Sequence, residues 1–454
     1  MNIQKFFSVA ALVLLPSLGT AQATRLRVPF TLDTLPNGLT LIVHEDHSVP
    51  IVTTNVWFHV GSGDEKIGRT GFAHLFEHLM FMGSENAPNP QFDRMLEAAG
   101  ANNNGSTTED RTNYYEVGPS SSLRLMLWLE ADRMGWLLPT MDKPKVDLQR
   151  DVVKNERRQS YENQPYGLVA DVQPKLMYPT GHPYSWPVIG SMTDLSAASV
   201  DDVKAFFRKY YAPNNATIVV AGDVKADDVR AIVRQYFTDV PRGPAIERPT
   251  PVAFTVHDTT MTLEDRVQLP RVYLNWHTGR NTGPDAPALQ VAAYILAGSR
   301  TSRLTQALVY GGEVATSVQA YDDAKRLDGD FNIVATARPG KALDTLQALI
   351  DVNLQRLAAD GPSARELDQA RNAIEASFLR SVQTVSGKAD QLNEYYYQTG
   401  NPDGFQDDLD HVRRVTAADI QRVVRQYLLA PRVMISVVPL GKQSLAATPR
   451  KVTQ

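Results

Sequence analysis

The chain closes twice in the same way. Asp202-Val203-Lys204-Ala205-Phe206-Phe207-Arg208-Lys209-Tyr210 resembles Asp419-Ile420-Gln421-Arg422-Val423-Val424-Arg425-Gln426-Tyr427, and each segment is followed by an Ala-Pro pair (Ala212-Pro213, Ala430-Pro431) and a β-rich run, at 216–222 and 433–438. The offsets are 217 and 218 residues. Tandem similar domains are the economical explanation of such a match. The length, 454 residues, also asks for more than one domain. Pro241, Pro244, Pro249 and Pro251 mark a stiff linker over 241–251. The expected layout is therefore a first domain at 24–240, a similar second domain at 252–445 and a tail at 446–454. The expected fold class is α+β, each domain a mainly antiparallel sheet covered by helices.

Within the first half, 30–35 and 39–44 flank Pro36-Asn37-Gly38, a hairpin signal, and 51–60 is a further β-rich run. Helical periodicity predicts helices at 91–99, 122–137, 145–161 and 201–211. The stretch 100–107, rich in Gly and Asn, reads by composition as a polar turn, and 178–187 as a loop.

Between the first β-runs and these helices lies Arg69-Thr70-Gly71-Phe72-Ala73-His74-Leu75-Phe76-Glu77-His78-Leu79-Met80-Phe81-Met82-Gly83. A helix opened near Gly71 and stopped at Gly83 places His74 and His78 on one face with Glu77 alongside. Two imidazoles so placed can reach one metal ion. Zn²⁺ accepts His nitrogens at about 2.0–2.1 Å, and a neighbouring carboxylate can take the proton of a water at the metal. The plain alternative is an amphipathic helix with two ordinary histidines, although the chain has only nine His. Sliding the first half over the second from Gly83 onto Gly298 sets Leu289, Ala292 and Ala293 opposite His74, Glu77 and His78. Residues 288–297 contain neither His nor Glu.

A catalytic zinc site needs a third protein ligand on another element. Glu156 offers one, 78 positions after His78, although beside Arg157 and Arg158 it also reads as a solvated helix carboxylate. The order H-x-x-E-H inverts that of the H-E-x-x-H zinc peptidases and is the inverzincin signature. With Glu156 in its Gln149–Gln159 setting, Trp57-Phe58-His59-Val60-Gly61-Ser62, Asn104-Gly105-Ser106-Thr107, His182-Pro183-Tyr184 and the two-domain repeat, the chain resembles the pitrilysin/insulinase family of zinc peptidases, in its short processing-peptidase-like branch.

The resemblance implies that His74, His78 and Glu156 bind one Zn²⁺ per chain and that Glu77 is the general base. It implies that Asn104, Gly105, Ser106 and Thr107 belong to an edge strand on which an extended peptide substrate adds itself, with Asn104 near the scissile group. One departure is Gln149, where the family often has a second Glu in the second shell of the metal. Gln can orient a neighbour but lends no negative charge. In self-sufficient relatives the second half carries an Arg and, seven residues later, a Tyr that hold the substrate carbonyl. Those positions fall here on Val309 and Thr316, with Tyr310 one residue out of register. The resemblance thus implies the metal-bearing subunit of a heterodimer whose partner carries the Arg/Tyr pair, with a homodimer using another donor as the alternative.

Composition narrows the rest. Forty-six basic against fifty acidic groups give a net charge of −4, so no nucleic-acid-binding face is indicated. There is no Cys, hence no disulfide and no lipid-anchored N-terminus. Lys5, the apolar run 6–18 and Ala21-Gln22-Ala23 fit a secretory signal cut after Ala23, leaving a formal charge of −5. No run is long enough to span a bilayer. The expectation is an exported, periplasmic, zinc-dependent metalloendopeptidase acting on peptides or unfolded segments. The alternative is a non-catalytic peptide-binding or scaffolding member of the same family, which would have no physical reason to keep all four of His74, Glu77, His78 and Glu156.

Overall fold

Pro36-Asn37-Gly38 turns the chain between β1 (Thr31–Thr34) and β2 (Thr40–Glu45), which pair antiparallel. The computed structural model describes residues 25–250 and 253–449, so the expected leader at 1–23 lies outside the described residues. Adding β3 (Ile51–Phe58), β4 (Asn102–Thr107), β5 (Thr112–Pro119) and β6 (Ala216–Gly222) gives a six-stranded sheet in the order β1-β2-β6-β3-β5-β4. The second half builds a five-stranded sheet from β7 (Thr259–Asp265), β8 (Arg271–Thr278), β9 (Ala315–Ala324), β10 (Gly329–Ala337) and β11 (Val433–Pro439), in the order β7-β11-β8-β10-β9.

The two orders superpose. β2-β6-β3-β5-β4 matches β7-β11-β8-β10-β9, and in each set of five the one parallel pair joins the first strand in sequence to the last (β2 with β6, β7 with β11). All other pairs are antiparallel. Helix Phe72–Leu79 lies between β3 and β4 in sequence, and its counterpart Ala286–Ala297 between β8 and β9. The repeat seen in the sequence is a repeat of topology.

β6 is buried along its whole length because both faces of its sheet are covered. Ile218 and Val220 face the first half's own helices, whereas Val219 and Ala221 face the other way, together with Ile42. What covers this second face is helix Val385–Thr399 from the second half, through Val385, Ala389, Leu392 and Tyr395. Asn393 seals the contact, its Nδ2 donating to Asn55 O at 3.0 Å. The exchange is reciprocal. Helix Val169–Met177 of the first half packs Val169 and Met177 against Val433, Ile435 and Val437 of β11.

This corrects the expected boundaries. The strands of the two sheets fall within 31–222 and 259–439, and 241–250 carry no regular secondary structure, but each half lends a helix to the other's sheet. Nor do residues 446–449 form a free tail. Ala447 packs in the second core and its amide donates to Ser436 Oγ at 3.1 Å. The helix expected at 145–161 runs as an α-helix over Lys143–Arg157 and continues as a π-helical stretch over Arg158–Glu162, and the Asn-rich stretch is strand β4, not a turn.

Because each half lends a helix to the other's sheet, the wild-type protein is expected to unfold in urea in one transition. Leu392→Ala, at a site with 0% exposure, is expected to shift that whole transition by about 2–5 kcal/mol. Two separate transitions in the wild type, only one of them moved by the substitution, would contradict the exchange.

Candidate metal centre

The metal helix Phe72–Leu79 sorts its residues by face. Phe72, Leu75, Phe76 and Leu79 are buried in the first core, where the Phe76 ring stacks on Phe206 at 5.3 Å and lies 5.0 Å from Tyr211. His74, Glu77 and His78 are left on the opposite, partly open side. Gly71 at the N-cap has φ +87° and no side chain to offer, and a Cβ there would sit 2.7 Å from Ile189 O. The cap comes from Glu65 in the preceding loop, whose two oxygens accept from Gly71 N at 2.9 Å and Ala73 N at 2.7 Å. Burial pushes Glu65 up to about 8, and the amides of Ala73, Gly71 and Phe72 pull the other way.

Glu156 arrives from helix Lys143–Arg157, whose N-cap Asp142 accepts from Lys145 N. Its Oε2 lies 3.3 Å from His78 Nε2 and 3.8 Å from His74 Nε2, and the two imidazole centroids are 4.8 Å apart. The three donor atoms lie within 4.8 Å of one another, and no other such group occurs among the described residues. Bonds of 2.0–2.1 Å at tetrahedral angles separate ligand atoms by about 3.3 Å, so the set needs only a small closure to hold Zn²⁺. The chemistry of the donors agrees. Burial, reinforced by His78, lowers His74 to about 4, which keeps it a neutral imidazole at neutral pH. A hydrogen bond from His78 holds Glu156 below the usual carboxylate range. Side-chain exposures of 13%, 24% and 40% for His74, His78 and Glu156 leave the group reachable from solvent.

Glu77 stands beside these three without joining them. Its Oε2 accepts from Thr107 Oγ1 at 2.6 Å. Burial raises its pKa, and the Thr107 hydroxyl opposes the rise. Thr107 is the last residue of β4, the free edge of the first sheet. β4 can lie this close to the metal helix because of Gly105, where a Cβ would meet Glu77 Cγ at 3.1 Å and Phe81 Cε2 at 3.3 Å. By strand alternation Asn104 and Ser106 share the other face. Ser106 Oγ donates to Asn113 Oδ1 at 2.6 Å, and Asn104 is exposed with its Oδ1 on the amide of Gly105. Of the four edge-strand residues expected to meet substrate, Gly105 and Thr107 therefore face Glu77, and Asn104 and Ser106 do not.

Gln149 donates to Met82 Sδ at 2.7 Å, at the end of the metal helix, rather than to a ligand. In the second half, Val309 is partly buried against the core, and Thr316 is exposed with its Oγ1 donating to Thr336 O at 3.2 Å. Sequence reasoning missed Glu65 and Arg111. A Glu six residues ahead of a glycine-started helix was a usable signal for the first. For Arg111, whose Nη1 donates to Ser106 O at 2.9 Å and Oγ at 2.7 Å, none was visible.

Comparison with known proteins gives the same picture at family level. Residues 40–180 match the family model described as insulinase (peptidase family M16), and residues 197–374 match the peptidase M16 inactive domain. The chain is 28% identical over 434 residues to the zinc protease PqqE of Helicobacter pylori, covering 93% of this chain and 97% of that one. It is 24% identical over 421 residues to the probable mitochondrial-processing peptidase subunit beta of Arabidopsis thaliana, covering 89% and 77%. The crystal structure of a protease from Helicobacter pylori superposes with a TM-score of 0.85 at 26% identity, over 91% of this chain and 100% of that one. With the shared two-sheet fold and the H-x-x-E-H helix, these matches place the chain in the insulinase family, peptidase family M16.

Proposed function

We propose that this chain is a zinc-dependent endopeptidase acting on extended or unfolded polypeptide, exported to the periplasm after cleavage at Ala23. The observation that carries the reading is the convergence of His74, His78 and Glu156, with the Glu77 carboxylate beside them and not among them. Zinc held there would polarise a scissile carbonyl and acidify the attacking water toward a pKa of about 7. Glu77 takes the proton from that water and returns it to the departing amine. The open edge of β4 presents main-chain N–H and C=O groups to which an extended peptide can add as a further strand, so main-chain bonds carry affinity and sequence preference is loose.

The zinc protease PqqE and the processing-peptidase subunit named above support the peptidase reading, and Val309 and Thr316 at the Arg/Tyr positions favour a metal-bearing subunit paired with a related one. Glu77→Gln is expected to keep its zinc and lose about 10²–10⁴-fold in peptide hydrolysis, because a carboxamide accepts no proton. Near-wild-type turnover by that variant would remove Glu77 from the mechanism and leave the non-catalytic reading standing. Glu156→Ala is expected to stay folded and lose bound zinc, measured by elemental analysis; stoichiometric zinc in the folded variant would point to another ligand. Mixing the purified chain with a partner carrying the Arg/Tyr pair is expected to raise activity. Full activity from the lone chain, unchanged on mixing, would refute the heterodimer.

A further inference from the structure

The His182-Pro183-Tyr184 loop takes no part in the metal centre, yet it is built into a contact on which the centre depends. Tyr184 is buried, and its hydroxyl donates to Asp110 Oδ1 at 2.5 Å while accepting from Leu327 N at 3.0 Å. The other oxygen of Asp110 accepts from Arg326 N at 2.9 Å, and the Asp110 carbonyl accepts from Tyr397 Oη at 2.8 Å. Arg326 and Leu327 form the turn between β9 and β10, and Tyr397 lies on helix Val385–Thr399, so all three belong to the second half. Asp110 belongs to the turn between β4 and β5. That turn is also fixed from the first half, where Ser62 N donates to Thr108 O at 3.1 Å and Gly63 N to Glu109 O at 2.8 Å.

We infer that Asp110 and Tyr184 are positioning residues through which the second half sets the alignment of the Glu77 carboxylate. The link is short. Asp110 lies three residues beyond Thr107, the residue whose hydroxyl holds Glu77, and Arg111 beside it grips Ser106 through both its carbonyl and its hydroxyl. A sheet-edge strand has only one neighbouring strand to define its position, so β4 takes the rest from the helices beneath it, where Asn103 Nδ2 donates to Asp93 Oδ1 at 2.9 Å, and from its end turn. With the clamp intact, the Thr107 hydroxyl donates to Glu77 Oε2 and leaves Oε1 to meet a water. With the clamp released, β4 slides or lifts from the metal helix and the base loses its orientation, and misplacement on the 1 Å scale costs about 10²-fold in rate. Neither Asp110 nor Tyr184 touches His74, His78 or Glu156, so metal binding is untouched by their loss.

This rests on the peptidase reading for its rate measurements but not for its structural one. In the zinc-loaded full chain, Thr107→Val is expected to lower kcat tenfold to a hundredfold at unchanged zinc content and nearly unchanged KM, with Thr107→Ser restoring most of the loss. Asp110→Ala is expected to lower kcat at least fivefold, with Asp110→Asn, which keeps an acceptor for Arg326 N and a polar partner for Tyr184, restoring it. The double variant Thr107→Val/Asp110→Ala is expected to lose no more than the worse single variant, since one acts through the other. Hydrogen exchange should quicken across 102–107 in Asp110→Ala while the metal helix keeps its protection. Tyr184→Phe reads the same quantities should Asp110→Ala fail to fold. Losses that multiply in the double variant, or unchanged exchange in β4, overturn the inference. If the wild type hydrolyses no peptide, the peptidase reading fails on its own, and the exchange measurement still decides whether the clamp holds β4.

Discussion

Everything at this centre depends on one short helix having two faces that cannot be exchanged. Eight residues do not hold a helix in water by themselves. Phe72–Leu79 persists because Phe72, Leu75, Phe76 and Leu79 are locked into the core and because Glu65 satisfies its first amides from outside the helix. Burying that face leaves His74, Glu77 and His78 nowhere to point but outward, toward Glu156 and the edge of β4. The donor geometry is thus inherited from apolar packing, and its electrostatics follow from the same cause. Burial keeps His74 neutral and raises the pKa of Glu77 above its ordinary value, with the Thr107 hydroxyl opposing the rise.

The second half shows what the same frame does without that division. Helix Ala286–Ala297 occupies the equivalent place in the strand order and carries neither His nor Glu. It is apolar almost all round and buried almost all round. What the second half gives the first is rigidity: a helix across the back of the first sheet, and hydrogen bonds to the turn that ends β4.

Much of this was legible in the sequence, for reasons that differ by element. The matched Asp202–Tyr210 and Asp419–Tyr427 segments revealed a duplicated topology because helix, Ala-Pro turn and buried strand each leave a strong local pattern. The His74–His78 spacing and the distant Glu156 were legible because metal chemistry restricts residue type. β4 was not legible from composition. Asn102-Asn103-Asn104-Gly105 has poor strand propensity, and its conformation is set by pairing with β5 and by the room Gly105 makes for Glu77 and Phe81. The exchanged helices were invisible for a related reason: amphipathicity says that a face is buried but not against which sheet. The cross-half bonds at Asp110 and Tyr184 join residues 143 to 287 positions apart and leave no periodicity at all.

The proposed zinc centre on this frame is His74, His78 and Glu156. The most direct test is anomalous X-ray diffraction at the zinc edge from crystals of the wild-type chain grown with equimolar Zn²⁺. A single strong peak is expected about 2.0–2.1 Å from His74 Nε2, His78 Nε2 and a Glu156 oxygen. Full zinc occupancy at some other place, with these three side chains uncoordinated, would contradict it.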